Sequence, residues 1–111
     1  MPTRLRRPLE EILRDRSDAR RAFLRPQIER TLIELGRNGV VCEVIGSFAR
    51  SGERFDEESD LDILVESKGS LTEGEIWDIA WTHLTDVDVD VIFADRLPAR
   101  KVALMKEHAR A

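Results

Sequence analysis

The apolar positions change period along the chain, and the changes mark out the elements. Leu5, Leu9, Ile12 and Leu13 recur at helical spacing among arginine and glutamate, which predicts a short amphipathic helix. The polar stretch over residues 15–18 predicts a break after it. Leu24, Ile28, Leu32 and Leu35 form a second helical stripe. Pro26 fits the first turn of that helix, where its missing N–H costs nothing. Asn38-Gly39 is a stop signal. Residues 40–45 are rich in β-branched side chains and read as a strand.

Leu61, Ile63 and Val65 then alternate with Asp60, Asp62, Leu64 and Glu66. That is a strand with one apolar face and one face that starts acidic. Lys68-Gly69-Ser70 is a turn. Ser70 with Glu73, or Thr72 with Glu75, has capping-box spacing, and Ile76, Trp77, Ala80 and Leu84 give the stripe of the helix that follows. Residues 86–93 have the cleanest period of two in the chain: Val87, Val89, Val91 and Phe93 on one side, Asp86, Asp88 and Asp90 on the other. Pro98 sits near the first position of a last helix. The order α, α, β, β, α, β, α predicts an α+β fold, a small mixed sheet with helices packed on one face and an acidic site on the other. The division expected is an N-terminal helical segment over residues 1–23 and the main body over 24–111, a single domain overall.

The 111 residues suit one domain with a modest core. A formal net charge of -4 argues against a general nucleic-acid binder, which shows a basic excess or stripe. The single cysteine, Cys42, excludes an internal disulfide and a cysteine-built metal site; in VVCEVIG it reads as a small apolar residue. No apolar run approaches the roughly 20 residues that span a bilayer. MPTRLRRPLEEILRDR has basic residues but no apolar stretch behind them, so it does not read as a secretory signal. A cytoplasmic location is the default expectation.

The stretch GSFARSGERFDEESDLD, residues 46–62, changes the picture most. Asp60 and Asp62 point to one face of a strand, roughly 7 Å apart at Cα, and can share a divalent cation. Alone, such a pair is more simply two exposed strand-entry residues. Asp86, Asp88 and Asp90 share a second acidic face, and cross-strand neighbours lie about 5 Å apart. If the strands pair, up to five carboxylates converge, and like charges that close raise one another's pKa unless a cation neutralises them. Oxygen-only ligands suit Mg²⁺ or Mn²⁺, not zinc. Gly46 lets backbone N–H groups approach a ligand. The Ser47 hydroxyl suits phosphate oxygens, and Arg50 offers charge to the same anion. Together these describe a site for a metal–nucleotide complex. His83 and His108 read as helix-end or surface residues, and Trp77 and Trp81, at i and i+4, as core and helix-edge packing.

Gly46-Ser47-Phe48-Ala49-Arg50, then Ser59-Asp60-Leu61-Asp62-Ile63-Leu64-Val65, then Val89-Asp90-Val91-Ile92 resemble the minimal nucleotidyltransferase (MNT) domains of the DNA polymerase β-like nucleotidyltransferase superfamily. The resemblance runs from about Ile28 to the last helix and implies the polymerase β-like fold for residues 24–111. It implies a nucleoside triphosphate, usually ATP, with Mg²⁺, two ions in the usual scheme. By it, Gly46 and Ser47 hold the triphosphate, and Asp60, Asp62 and Asp90 hold the metal. Asp90 also helps to deprotonate the acceptor hydroxyl, with Asp88 as its competitor for that place. The interval from Phe48 to Ser59 is longer than the family's usual one.

Larger relatives carry a helical domain that binds the acceptor, and this chain has no room for one. The acceptor then comes from another molecule. The resemblance points to a HEPN-type toxin, with this chain as the antitoxin that attaches AMP to it. Two other readings stay open: an antitoxin that acts by binding alone, and a transferase acting on a small molecule such as an aminoglycoside. A homo-oligomer is compatible with all three. The arginine-rich N-terminal helix offers a docking face for a partner, or simply a solvated one.

Overall fold

The computed structural model describes residues 8–110. Helix α1 (Leu9–Arg37) leads into β1 (Val41–Ile45), a one-turn helix α2 (Gly46–Ala49) and β2 (Leu61–Ser67). Helix α3 (Glu73–His83), β3 (Val89–Phe93), a short 3-10 turn (Ala94–Arg96) and α4 (Ala99–Ala109) complete the chain. The sheet order is β1-β2-β3, with β1 antiparallel and β3 parallel to β2. This is the α+β arrangement with a small mixed sheet that the alternating periods predict.

Alternation assigns the two faces. Cys42, Val44, Leu61, Ile63, Val65, Val91 and Phe93 face α1 and α3, where Leu24, Ile28, Leu35, Ile76 and Ala80 close the core. Fully burying each large side chain contributes about 1.5–3 kcal/mol. Cys42 is half-buried there, and burial, then the Glu43 carboxylate, push its thiol pKa up. The opposite face carries Glu43, Ile45, Asp62, Leu64, Glu66, Asp90 and Ile92. Helix α4 lies over the far part of that face. Lys106 bonds Glu66 at 2.6 Å and approaches Glu43 at 3.8 Å, and Arg110 reaches Glu43 at 3.4 Å. Leu64 is completely buried although it faces away from the main core.

The expected break at residues 15–18 does not occur. Helix α1 is continuous through it, and the expected junction at 23/24 lies inside that helix. Leu5, assigned to the first expected helix, lies outside the described residues. The polar residues continue the buried stripe instead of ending it: Ser17, Arg21, Leu24, Gln27, Ile28, Thr31 and Leu35 are the buried positions of α1. Ser17 Oγ accepts a hydrogen bond from the Phe55 N–H at 3.0 Å. Thr31 Oγ1 donates back to the Gln27 carbonyl at 2.8 Å, the usual way a hydroxyl is satisfied inside a helix. Pro26 is not in a first turn but well inside the helix. It is exposed, as is Ala22, so water can serve the carbonyl that Pro26 leaves without a donor.

The helix stops as the sequence predicts. Asn38 is the C-cap, Gly39 has φ +79°, and the Val40 N–H returns to the Leu35 carbonyl at 3.1 Å. At α3 the capping box is Thr72 with Glu75: the Glu75 N–H donates to Thr72 Oγ1 at 3.2 Å, and the Thr72 N–H donates to the Glu75 carboxylate at 2.9 Å. Trp77 is half-buried and Trp81 is exposed, with ring centroids 5.7 Å apart. His83 ends α3 and lies 2.6 Å from a Glu34 carboxylate oxygen; His108 is exposed on α4.

Candidate functional site

The site forms where all three strands meet at one end. Ile45 ends β1 opposite Asp62 on β2, and Asp62 stands opposite Asp90 on β3. Across the sheet the row reads Ile45, Asp62, Asp90, all on the face that α1 and α3 do not cover. The two strands that carry the aspartates are thus direct neighbours, and their register places the two carboxylate residues side by side.

Gly46 turns the chain over this row. Its φ is +74°, a left-handed conformation that glycine adopts without strain. A Cβ at Gly46 would run into Asp62 Oδ2 and lie 3.3 Å from its Cγ. Only a glycine lets the backbone come this close to the carboxylate. Ser47 follows in α2, and among the described residues no group hydrogen-bonds its hydroxyl.

Asp62 records the convergence electrostatically. Burial raises its carboxyl pKa above the ordinary value, and the charges of Asp90 and Asp60 raise it further. The direction is what a carboxylate shows when held near like charges with no counterion. Asp60 precedes β2 and is exposed, as is Asp90. Among the described residues no group of three or more His, Cys, Asp or Glu side chains is drawn together closely enough to hold a metal ion by itself. Mg²⁺ does not need such a cage, since it is usually held by one or two carboxylates plus phosphate oxygens and water. The Asp62–Asp90 pair, with Asp60 beside it, fits that donor set.

The third acidic strand is shorter than its sequence period suggests. β3 begins at Val89, so Asp86 and Asp88 precede it and do not line a common strand face with Asp90. Asp86 is turned toward α1: its Oδ2 accepts from Gln27 Nε2 at 2.7 Å, and its carbonyl accepts from Arg20. Asp88 joins the ladder through its backbone, where its carbonyl accepts the Leu61 N–H at 2.8 Å. Register therefore favours Asp90 over Asp88 as the carboxylate beside Asp62. Five carboxylates do not converge; Asp62 and Asp90 stand side by side in the sheet register, and Asp60 lies just before β2.

Arg50 is placed differently from the expectation that it offers a free charge. Its guanidinium pairs with Glu53, Nε to Oε2 at 2.7 Å and Nη2 to Oε1 at 3.0 Å. The loop from residue 50 to 60 is also less exposed than SGERFDEES suggests. Phe55 is completely buried and packs edge-to-face on Phe48, with centroids 5.1 Å apart at 86°. Asp56 closes the next turn, and the Glu58 N–H, first among its hydrogen bonds, holds the Asp56 carboxyl below its ordinary pKa.

Two residues that sequence reasoning missed hold the site in place. Arg21, on α1, is 7% exposed and donates to four backbone carbonyls: Ser47 at 2.7 Å, Phe48 at 3.0 Å, Arg50 at 3.0 Å and Glu53 at 2.6 Å. Its guanidinium also lies over the Phe48 and Phe55 rings, 5.9 and 5.8 Å from their centroids. Gln27, also buried, ties the turn before β3 to the same helix, since its Oε1 accepts the Thr85 N–H at 3.1 Å. One helix thus positions both the glycine loop and the start of the Asp90 strand.

No protein-family model, curated protein or solved structure matches the chain.

Proposed function

We propose that this chain is a Mg²⁺-dependent nucleotidyltransferase that moves AMP from ATP to a hydroxyl of a partner protein. The observation that carries the reading is the meeting of the Gly46 backbone with the Asp62 carboxylate, in register with Asp90 and within the field of Asp60. A glycine loop that closes on neighbouring carboxylates, with Asp62 held above its ordinary pKa by burial and by the charges of Asp90 and Asp60, suits a triphosphate held against a divalent cation.

Asp60, Asp62 and Asp90 would hold the cation, which supplies positive charge to the phosphates and to the attacking and leaving oxygens. The chain's own residues do the positioning. The Gly46–Ser47 backbone and the Ser47 hydroxyl face the phosphate chain. The acceptor oxygen attacks the α-phosphorus and its proton passes to the Asp90 carboxylate. The bond to the bridging α–β oxygen breaks, and pyrophosphate leaves. The rate comes from orientation and electrostatics, without a covalent enzyme intermediate. The partner is of the HEPN toxin kind that the resemblance implies, met in the cytoplasm. Among the described residues no helix is long and apolar enough to cross a membrane.

One observation favours a second reading, an antitoxin that binds without catalysis: Glu53 already neutralises Arg50, the nearest cation in the loop sequence. Thermal unfolding separates the two readings. Mg²⁺ with a non-hydrolysable ATP analogue at about a hundred times its dissociation constant should add about 2.7 kcal/mol to the wild type and little to Asp62→Asn. A wild type indifferent to the metal–nucleotide pair contradicts the transferase.

A further inference from the structure

The two edges of the sheet are treated differently. On the β1 edge the ladder is irregular at Val41/Cys42, and α4 lies against that strand, with Lys106 and Arg110 on Glu43. Irregular pairing, cationic side chains and a covering helix are the usual devices that protect an edge. Among the described residues the β3 edge has neither an irregular ladder nor a covering helix: VDVIF itself contains no proline, lysine or arginine, and among the described residues it pairs with β2 alone. The Leu61 N–H bonds the Asp88 carbonyl. Because alternate residues of a parallel strand bond to a given neighbour, Val89, Val91 and Phe93 turn their N–H and C=O groups outward.

Two shallow depressions lie along β3. Trp77, Arg96 and Leu97 border one beside Val91, Ile92 and Phe93. Trp81 and Thr85 border the other beside Val87, Asp88 and Val89. Trp81 is 64% exposed, an unusual amount of bare aromatic surface and of the kind that anchors partners. Asp88 and Asp90 are exposed, and among the described residues neither forms an ion pair. Any segment laid along β3 meets tryptophans on one side and uncompensated carboxylates on the other.

We propose that the open edge of β3 docks an extended segment of the acceptor protein as an added strand, with apolar residues alternating with basic or hydroxyl-bearing ones. As a statement about the acceptor this rests on the transferase reading. The outward N–H and C=O groups supply main-chain hydrogen bonds, and alternate side chains supply specificity. The apolar set packs on Trp77 and Trp81. The polar set faces Asp88 and Asp90, which brings one of its hydroxyls beside the carboxylate that takes the proton. A second copy of this chain is the less favoured occupant, because twofold pairing of β3 with itself about Val89 sets Asp88 against the copy's Asp90, and pairing about Asp90 sets that carboxylate against its own copy; like charges across a ladder are destabilising.

The test uses the full chain and a short capped peptide that alternates valine with lysine, with one serine among the lysine positions. Tryptophan fluorescence reads binding, and hydrogen exchange reads the Val89, Val91 and Phe93 amides. Binding should slow exchange at those three amides. Trp81→Ala or Asp88→Lys, both at exposed positions, should weaken binding by about tenfold or more. N-methylation of the peptide nitrogens that face β3 should abolish it. Equal affinity for the methylated peptide, unchanged amide exchange, or a self-associated dimer that protects the same amides each overturns the proposal. The Asp60→Asn/Asp62→Asn variant should still bind the peptide. Docking without any label transfer to a hydroxyl therefore counts against the transferase, and transfer to a lysate protein without docking counts against the edge.

Discussion

Removing the Arg21 guanidinium is expected to be the most damaging single polar change in the protein. Arg21→Met keeps the helix and most of the volume but deletes four hydrogen bonds to the Ser47, Phe48, Arg50 and Glu53 carbonyls. Nε and Nη2 supply three protons to these four carbonyls, so one proton is shared; at about 1.5–3 kcal/mol per charged donor proton the gross sum is about 4.5–9 kcal/mol. Two effects reduce it. Three of the four bonds are only partly buried, so water replaces the lost donor. Taking a cation out of water costs several kcal/mol, and methionine avoids that cost. What remains is mainly the orphaned Phe48 carbonyl, about 1–3 kcal/mol, and part of the other three. A net loss of about 3 kcal/mol follows. With a urea slope of about 1.5 kcal/mol per molar, the unfolding midpoint drops by about 2 M. The variant stays folded at 25 °C if the wild type has the usual stability of about 5–15 kcal/mol. Hydrogen exchange should speed up over residues 46–53, and metal–nucleotide binding should weaken with it. Arg21→Lys should recover only part of the loss, because an ammonium cannot span four acceptors. A midpoint shift below about 0.5 M, equivalent to under about 1 kcal/mol, refutes the view that Arg21 organises the loop.

Other substitutions test the same arrangement. Gly46→Ala must adopt a left-handed conformation and push the Asp62 carboxylate aside. It should cost about 1–2 kcal/mol of stability but more than about tenfold in nucleotide affinity, a loss of over about 1.4 kcal/mol; titration calorimetry against a melting curve separates the two. Burial, then the charges of Asp90 and Asp60, hold the folded Asp62 carboxyl above its ordinary pKa, so its ionised form opposes folding. Asp62→Asn should therefore stabilise the protein at neutral pH. That advantage should be absent below the unfolded pKa, grow as pH rises through the raised folded pKa, and level off above it, provided no metal is added. Equal melting differences at acidic and neutral pH contradict this. Phe55→Ala empties a fully buried position and should cost about 3–5 kcal/mol in chemical denaturation; a near-neutral effect means the loop is not anchored.

The sequence makes the strands and the site's candidate residues readable because both depend on local order. Leu61, Ile63 and Val65 alternate with the aspartates, and the same alternation sets the faces in the folded chain. The glycine at position 46 is likewise marked by its place at the end of an apolar run. What lies beyond local order is less legible. The pairing of Asp62 with Asp90 is a long-range register, and no spacing within either strand encodes it. Asp86 fits the strand period perfectly well but is claimed by Gln27, a residue on another element. Helix α1 looks broken because Ser17 and Arg21 are polar, yet they are buried because the loop that they bind is itself a row of backbone donors and acceptors. Phe55 sits alone among charges, so nothing nearby signals that Phe48 and Arg21 enclose it.

The central claim is that the Asp60, Asp62 and Asp90 site transfers AMP. The direct test is transfer of label from α-labelled ATP, with Mg²⁺, in a lysate of the source cell, run with the wild type and an Asp60→Asn/Asp62→Asn variant side by side. The account predicts a labelled protein band that appears only with the wild type and disappears when Mg²⁺ is chelated. If neither protein nor small molecule takes label while the chain still captures its partner, the claim fails and binding alone is what the protein does.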